Sequence, residues 1–432
     1  MWGEAGRRSL ARSALLEGAA QLTRALNQID SLPTTPALRR DQIKFQVALA
    51  TATMHTKGYA APETKASVDR ARVLIERAEG LGEAPEDPLL LFSVLYGSWV
   101  GSFVAFNGDI CCALAKQFLA LAEKKAETAT HMIGHRLMAN SLLLSGEIAE
   151  AKVHYDQAIA LYNPTEHRPL AMRFGQDLEV ACLSFRSLAL WLLGYPEAAL
   201  ADTDRALSNA RAIGQGATLM FTLGHVALTC IECGAHSAAN AQADELCVLA
   251  DEKGAFLWKS MGTIIKGFVL ALTGNAQAAV QMMTRGMGAS RSTGSTVFDT
   301  LYLSCLAVVH AQLHQFEAGG RCIDEAVSAA ASTKSCWWQA ETYRIAGEIA
   351  LKSAQADAAK AEASFKYALS VARQQQAKSW ELRAAMSMAR LWRDQGKRDE
   401  ARELLAPVYG WFTEGFDTLD LKQAKALLAE LV

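Results

Sequence analysis

A turn residue followed at fixed spacing by small side chains returns along this 432-residue chain and limits what it can fold into. In "SGEIAEAKVHYDQAIALYNP", Gly146 is followed by Ala151, Tyr155 and Ala158; in "LGYPEAALADTDRAL", Gly194 is followed by Ala199, Thr203 and Ala206. Gly234 leads Ala239, Ala243 and Leu246, Gly274 leads Ala279, Met283 and Gly286, and Gly396 leads Ala401, Leu405 and Val408. His314 takes the turn slot ahead of Gly319, Ile323 and Ala326. "NGDICCALAKQFLA" fits with Gly108, Ala113, Gln117 and Ala120, and "AQADAAKAEASFKYALSVA" fits with Ala361, Phe365 and Ala368 if its turn holds two extra residues. A second small residue precedes the turn: Gly101, Ala139, Ser187, Ala227, Gly267, Ala307, Gly347 and Ala389. Glycine at the turn permits positive φ and ends a helix. Two antiparallel helices joined so tightly approach closely only where side chains are minimal.

The last small position of each unit sets the period. Ala206, Leu246, Gly286, Ala326, Ala368 and Val408 stand 40, 40, 40, 42 and 40 residues apart. About ten such helix-turn-helix units predict an all-α solenoid, a right-handed superhelix matching the tetratricopeptide (TPR) pattern, whose usual period is about 34. Residues 1–80 read as irregular N-terminal repeats, 89–412 as the main array and 418–432 as a C-terminal capping helix. Trp2 and Gly6 fall on first-helix slots, and Gly18, Leu22 and Ala25 complete that pair, so the array begins inside a repeat without a polar cap. Terminal repeats need such a cap, so a longer parent protein is expected.

Composition narrows the function classes. A net charge of -2 with dispersed basic residues argues against nucleic acid as a partner. Nine cysteines without framework spacing, and no secretory leader, suit a cytoplasmic protein. Leu89–Phe106 is uncharged for eighteen residues, the lower limit of a membrane span, but Ser93, Ser98 and Ser102 and the lack of basic flanks favour a buried helix. Glu79–Pro88 and Asn163–Pro169 read as surface loops between repeats.

Chemistry is sparse. His131 and His135 lie at i, i+4, but Met132 stands where a zinc protease needs glutamate. His310 and His314 share that spacing without a third ligand. Cys230 and Cys233 form a lone CxxC with no second pair, and Gly396-Lys397 lacks the upstream glycine of a phosphate loop. No catalytic residue, metal site or cofactor is expected. More informative are the first-helix positions 13, 10, 6 and 3 before each turn, which line the concave side of such superhelices. Central repeats place Phe221, Leu228, Ile231, Met261, Ile264, Phe268, Leu301 and Val308 there; flanking repeats place Arg136, Asn140, Glu341, Arg344, Glu348, Arg383 and Arg390. Two readings follow: a tightly wound array buries these apolar residues against itself, or they form a channel with polar mouths for an amphipathic helix, a peptide or a small apolar effector.

"AKSWELRAAMSMARLWRDQGKRDEARELLAPVYGWFTEGFDTLDLKQAKALLAEL" and "LSFRSLALWLLGYPEAALADTDRAL" resemble the C-terminal TPR tail of large bacterial signalling proteins. Those proteins carry an N-terminal class III adenylate/guanylate cyclase domain, or a winged-helix regulator, followed by a STAND-type predicted ATPase. The resemblance implies a non-catalytic interaction and sensor module, its own upstream ATPase or cyclase domains being possible partners. The alternative is a fragment of a cyclase–ATPase enzyme whose catalytic domains lie upstream. The phosphate loop and metal-binding carboxylates of that family have no counterpart in this chain, so no catalytic residue carries over.

Overall fold

A computed structural model describes residues 1–432 except 12–13, 84–86, 125–126 and 354–355. Among the described residues every regular element is a helix. The chain forms two compact units: Met1–Gly134 with Arg291–Val297, and His135–Ser290 with Phe298–Val432.

In the first unit, helices Trp2–Ala11 and Leu15–Asp30 meet where Gly6 and Gly18 face each other. A Cβ on either would stand 3.1 Å from the other's carbonyl oxygen, so both must be minimal for the pair to close. The uncharged stretch becomes helix Leu90–Val104, with Phe92, Trp99 and Phe103 buried. Trp99 stacks on Phe103 at 4.6 Å and Phe92 meets Phe118 at 4.9 Å. Among the described residues, no helix is long and apolar enough to cross a membrane.

The register of the next helix differs from the one the spacing suggested. Asn107 accepts from the Ile110 amide as N-cap, so helix Gly108–Ala122 starts at the glycine expected in the turn. The Asn107 amide bonds the Ser102 carbonyl at 3.2 Å, which puts Phe106 in the turn slot. Cys111, Ala115, Phe118 and Ala122 are therefore buried, whereas Ala113, Gln117 and Ala120 are exposed. Of the loop Glu79–Pro88, residues 84–86 lie outside those described. The amides of Thr296 and Val297 both donate to the Val104 carbonyl at 3.0 Å, tying 291–297 into this unit.

The second unit repeats one device. Gly146, Gly194, Gly234, Gly274 and Gly396 hold φ of 97°, 93°, 79°, 98° and 81°, and His314 adopts 59° in the same slot. After each, the next amide reaches back to a carbonyl five residues earlier: Glu147 to Leu142, Tyr195 to Leu190, Ala235 to Cys230, Asn275 to Leu270, Gln315 to His310 and Lys397 to Trp392, all at 2.8–2.9 Å. This is the bond that a left-handed residue after the helix end makes possible, and it turns the chain into the second helix. Ala151, Ala199, Ala239, Ala279, Ala361 and Ala401 are then fully buried, as are Ala139, Ala227 and Ala389 of the first helices.

The two helices of a pair differ in burial. Leu178–Leu192, Gly216–Glu232 and Lys378–Asp394 are buried nearly all round, while their partners Pro196–Ile213, His236–Lys253 and Arg398–Gly410 bury one stripe. First helices therefore lie inside and second helices outside, as their hydrophobic patterning requires. The stretch Asn163–Pro169 is more ordered than a loop. Asn163 caps helix Pro164–His167, and helix Ala171–Phe174 tucks Phe174 into the core.

Inside ends of first helices meet the start of the fifth pair further on. The Leu144 carbonyl accepts from Cys336 at 2.9 Å and from Trp337 at 3.3 Å. Ser379 Oγ donates to the Trp191 carbonyl, 188 residues away. Glu414 accepts the amides of Glu197 and Ala198 at 2.9 and 3.0 Å, and the Gly415 amide donates to Glu197 Oε1 at 2.7 Å. Successive turns of this unit thus share a seam.

Candidate functional site

The seam decides the state of the inner face. Phe221, Leu228, Ile231, Met261, Ile264 and Leu301 are buried, and Phe268 and Val308 are half-buried. Leu228, Ile231, Ile264, Phe268 and Leu301 surround one void together with Tyr302 and Cys305, and its volume is about 10 Å³. That holds about one water. With about five pairs per turn between the joined ends, the first helices bury most of these slots themselves.

The polar slots are drawn inward too. Arg136, 2% exposed, donates Nη2 to Gln176 Oε1 at 3.3 Å and lies 5.6 Å over the Phe221 ring. Asn140 Oδ1 accepts from the Tyr155 hydroxyl at 2.7 Å. Glu341, 4% exposed, is held by Arg344, whose Nη1 also reaches Ser387 at 3.3 Å and Glu348 at 3.5 Å. Burial favours the neutral form of Glu341, but the charge and hydrogen bonds of Arg344, with Arg383 behind, outweigh it and hold the carboxyl below its ordinary value. Arg383 donates Nη1 to Glu232 Oε2 and Nε to Asp420 Oδ2, both at 2.7 Å. For Glu232, 7% exposed, the balance is reversed: burial pushes the carboxyl up to about 7 against the pull of Arg383.

A continuous aromatic spine accompanies these charges. Phe221 meets His225 at 4.2 Å, His225 meets Phe298 at 5.8 Å, and Phe298 meets Trp337 at 6.1 Å. Trp337 then meets Trp338 at 4.9 Å, Trp338 meets Trp380 at 4.7 Å, and Trp380 meets Trp191 at 4.7 Å. Slot counting brings out Arg383, Glu341 and Arg344 but misses Glu232 and Trp380; Trp191 stands on the slot three before Gly194 and is not among the residues singled out above. Glu232 sits one residue past its slot, and Trp380 lies outside the slots and faces the seam, which has no local pattern. The doublet Trp337-Trp338 was the available signal.

The other sequence candidates separate. His135 faces His154, Nδ1 to Nδ1 at 2.8 Å, rather than pairing with His131. Cys230 and Cys233 are buried free thiols, and burial pushes the first up to about 11. Among the described residues, no group of three or more His, Cys, Asp or Glu could hold a metal. On the outside, second helix Phe316–Thr333 and first helix Gln339–Lys352 flank an open groove of about 1310 Å³. Ile323, Val327, Tyr343 and Ile349 are among its apolar lining, and Glu317, Arg321, Asp324 and Lys360 carry charges of both signs around it.

No family model matches this chain, and no curated protein matches it in sequence. Its fold is that of known repeat proteins. A Rap protein crystallised with competence and sporulation factor aligns over 91% of this chain and 100% of its own, at 12% identity and a TM-score of 0.55. The Rap conjugation gene regulator of plasmid pLS20, in complex with the Phr* peptide, covers 93% and 97% at 10% identity and a TM-score of 0.49. A STAND protein with a tetratricopeptide repeat sensor from Pyrococcus horikoshii covers 88% and 57% at 11% identity and a TM-score of 0.40. The chain is a TPR-like α-solenoid.

Proposed function

We propose that this chain is a non-catalytic interaction and sensor module whose inner face, closed in the present form, receives a peptide or an amphipathic helix. The observation that carries this reading is the burial of Arg136, Glu232 and Glu341 beside the apolar slots. Replacing buried ion pairs by apolar residues of similar volume is often neutral or stabilising. A face that served packing alone would have no use for them, whereas one that alternates between covered and occupied needs polar groups to orient what it binds. Phe221, Leu228, Ile231, Met261, Ile264, Phe268, Leu301 and Val308 are the apolar anchors of this reading; Arg136, Asn140, Glu341 and Arg344 are its polar contacts.

The wider context is part of the same proposal. The tail-like strings support a place in a bacterial signalling protein, where the module regulates an associated ATPase, cyclase or transcription-regulator part. A fragment of the corresponding cyclase–ATPase enzyme is the alternative.

The open outer groove favours a second reading, in which an amphipathic helix with both charge signs lies across Ile323, Val327, Tyr343 and Ile349. Peptides selected from a random display library on the immobilised full chain separate the two. Under the inner-face reading, Phe268→Ser weakens the selected peptides at least about tenfold, because a few anchors carry most of the affinity. Binding indifferent to Phe268→Ser but lost on Val327→Lys replaces it with the outer groove.

A further inference from the structure

Four side chains from four helices converge at one end of the inner face. Arg383 comes from the first helix of the last pair, Lys378–Asp394, and Glu341 from the first turn of Gln339–Lys352. Glu232 ends helix Gly216–Glu232, 151 residues before Arg383, and Asp420 opens the C-terminal helix Leu419–Glu430. Arg383 uses its whole fork. Nη1 goes to Glu232 Oε2 and Nε to Asp420 Oδ2, Nη2 reaches the Glu232 carbonyl at 3.1 Å, and Glu341 lies 3.9 Å away. The guanidinium carbon sits 4.9 Å from the Trp191 ring and 5.2 Å from the Trp380 ring, whose indoles themselves meet across the seam. A planar group with five donors and an affinity for aromatic faces can tie these elements together; a lysine could not.

We infer that Arg383 is the latch of the inner face: while it holds Glu232, successive turns stay joined over Ile264 and Phe268, and a ligand reaches those residues only after Glu232 is released. This rests on the inner-face reading above. The contacts of Arg383 run between elements far apart in sequence, so they belong to the closure of the turn and not to the stability of one helix pair. Elsewhere the seam is held by bonds to backbone groups, those of the Leu144 carbonyl and those between Glu197, Ala198, Glu414 and Gly415, with no other cation bridging it through two carboxylates among the contacts described above. The joint is also poised. The groups facing the Glu232 carboxyl are Arg383, Glu341, Asp420 and the thiols of Cys233 and Cys305. Burial outweighs the guanidinium there and brings the carboxyl to about 7, so near neutrality the carboxylate that Arg383 needs is only partly formed. A charge-assisted bond of this kind is strong when ionised and weak when not.

Hydrogen exchange of the full chain tests the latch at a distance from it. The reporters are the Cys336 and Trp337 amides, bonded to the Leu144 carbonyl, and the Gly415 amide, bonded to Glu197. Amides within helix Arg398–Gly410 serve as the control. At about pH 8.5, where the Glu232 carboxylate is largely formed, Arg383→Met and Glu232→Gln are each expected to speed exchange at the reporters at least about tenfold while the control stays within about twofold, as opening of one local unit requires. The dye 8-anilinonaphthalene-1-sulfonate is expected to bind both variants with several-fold higher fluorescence. Reporter rates equal to the parent's in Glu232→Gln overturn the latch. Faster reporters without dye uptake keep the latch and overturn the inner face as a binding site. If Arg383→Met loses its helical signal, the decision passes to Glu232→Gln, which keeps the shape and removes only the charge.

Discussion

Both carboxylate oxygens of Glu341 accept from Arg344, Nε and Nη2 donating at 2.7 Å each, three residues apart on one buried helix face. A bidentate pair so placed fixes both side chains in one arrangement. It also carries a risk, because neither partner reaches water easily. Arg344→Met leaves Glu341 with Arg383 at 3.9 Å as its nearest cation. Breaking a buried pair costs about 3–5 kcal/mol, whereas removing both charges is far cheaper. Urea unfolding is expected to show a loss of that size for Arg344→Met and recovery of most of it in Arg344→Met/Glu341→Gln. Additive losses would show that the pair does not act as a unit.

Two glycines in helix interiors respond to alanine with opposite signs. A Cβ on Gly347 lands on the Phe365 ring, which is fully buried and has nowhere to go. A Cβ on Gly288 meets nothing within 4 Å. Gly288→Ala is expected to raise stability by about 0.4–1 kcal/mol through the unfolded chain. Gly347→Ala is expected to lower it by about 1–3 kcal/mol, as overpacking does. Thermal melts of the two variants check both signs, and a stabilised Gly347→Ala would mean that Phe365 packs elsewhere.

Much of the helix-pair architecture could be read from residues close in sequence, because the turn glycines and small slots act within a single pair. Gly194 and Ala199 need only each other's helices to have meaning. Asn107 shows the limit: its capping strength outweighed the glycine after it and moved the turn to Phe106. The seam was not legible, since Trp191 and Trp380 meet only after five pairs have accumulated their rotation. For the same reason the slots of Phe221 and Ile264 could be counted, but whether water reaches them could not. Glu232 escaped because its importance comes from Arg383, and nothing near "CIEC" points there.

His225 predicts an acid-side loss of stability. Its Nδ1 donates to the Phe221 carbonyl at 2.7 Å, and its ring lies among Phe185, Phe221, Trp258 and Phe298. Burial, with a smaller push from the Arg136 charge, lowers the imidazole from 6.5 to about 4 against the opposing hydrogen bond. In the unfolded chain the same ring takes its proton near 6.5. The stabilising contribution is therefore full above pH 6.5 and falls as the pH drops toward 4, the unfolded state binding more protons throughout that window. Between pH 7 and 4.5 the loss from this group is about 2 kcal/mol. His225→Phe is expected to flatten the pH dependence of unfolding free energy by that amount, and an unchanged slope would show that His225 does not titrate as an isolated buried ring.

The register of the outer helices can be tested on one of them. Ala199 and Ala201 lie two residues apart on helix Pro196–Ile213. Ala199 is fully buried against the first helix of its pair, while Ala201 faces outward. Both are alanines in the interior of one helix, five and seven residues after Gly194, so the chief difference is the space beyond the Cβ. Tryptophan at 199 has to force Leu178–Leu192 and Pro196–Ile213 apart, and overpacking of this kind costs about 1–3 kcal/mol or more. Tryptophan at 201 projects to solvent and is expected to stay within about 0.5 kcal/mol of the parent. Because each inner helix also packs on its neighbours, the Ala199→Trp loss is expected to appear as a lower Tm of the whole second unit. Equal melting of the two variants would place the small slot on the wrong face and overturn the register from which every inner-face residue was counted.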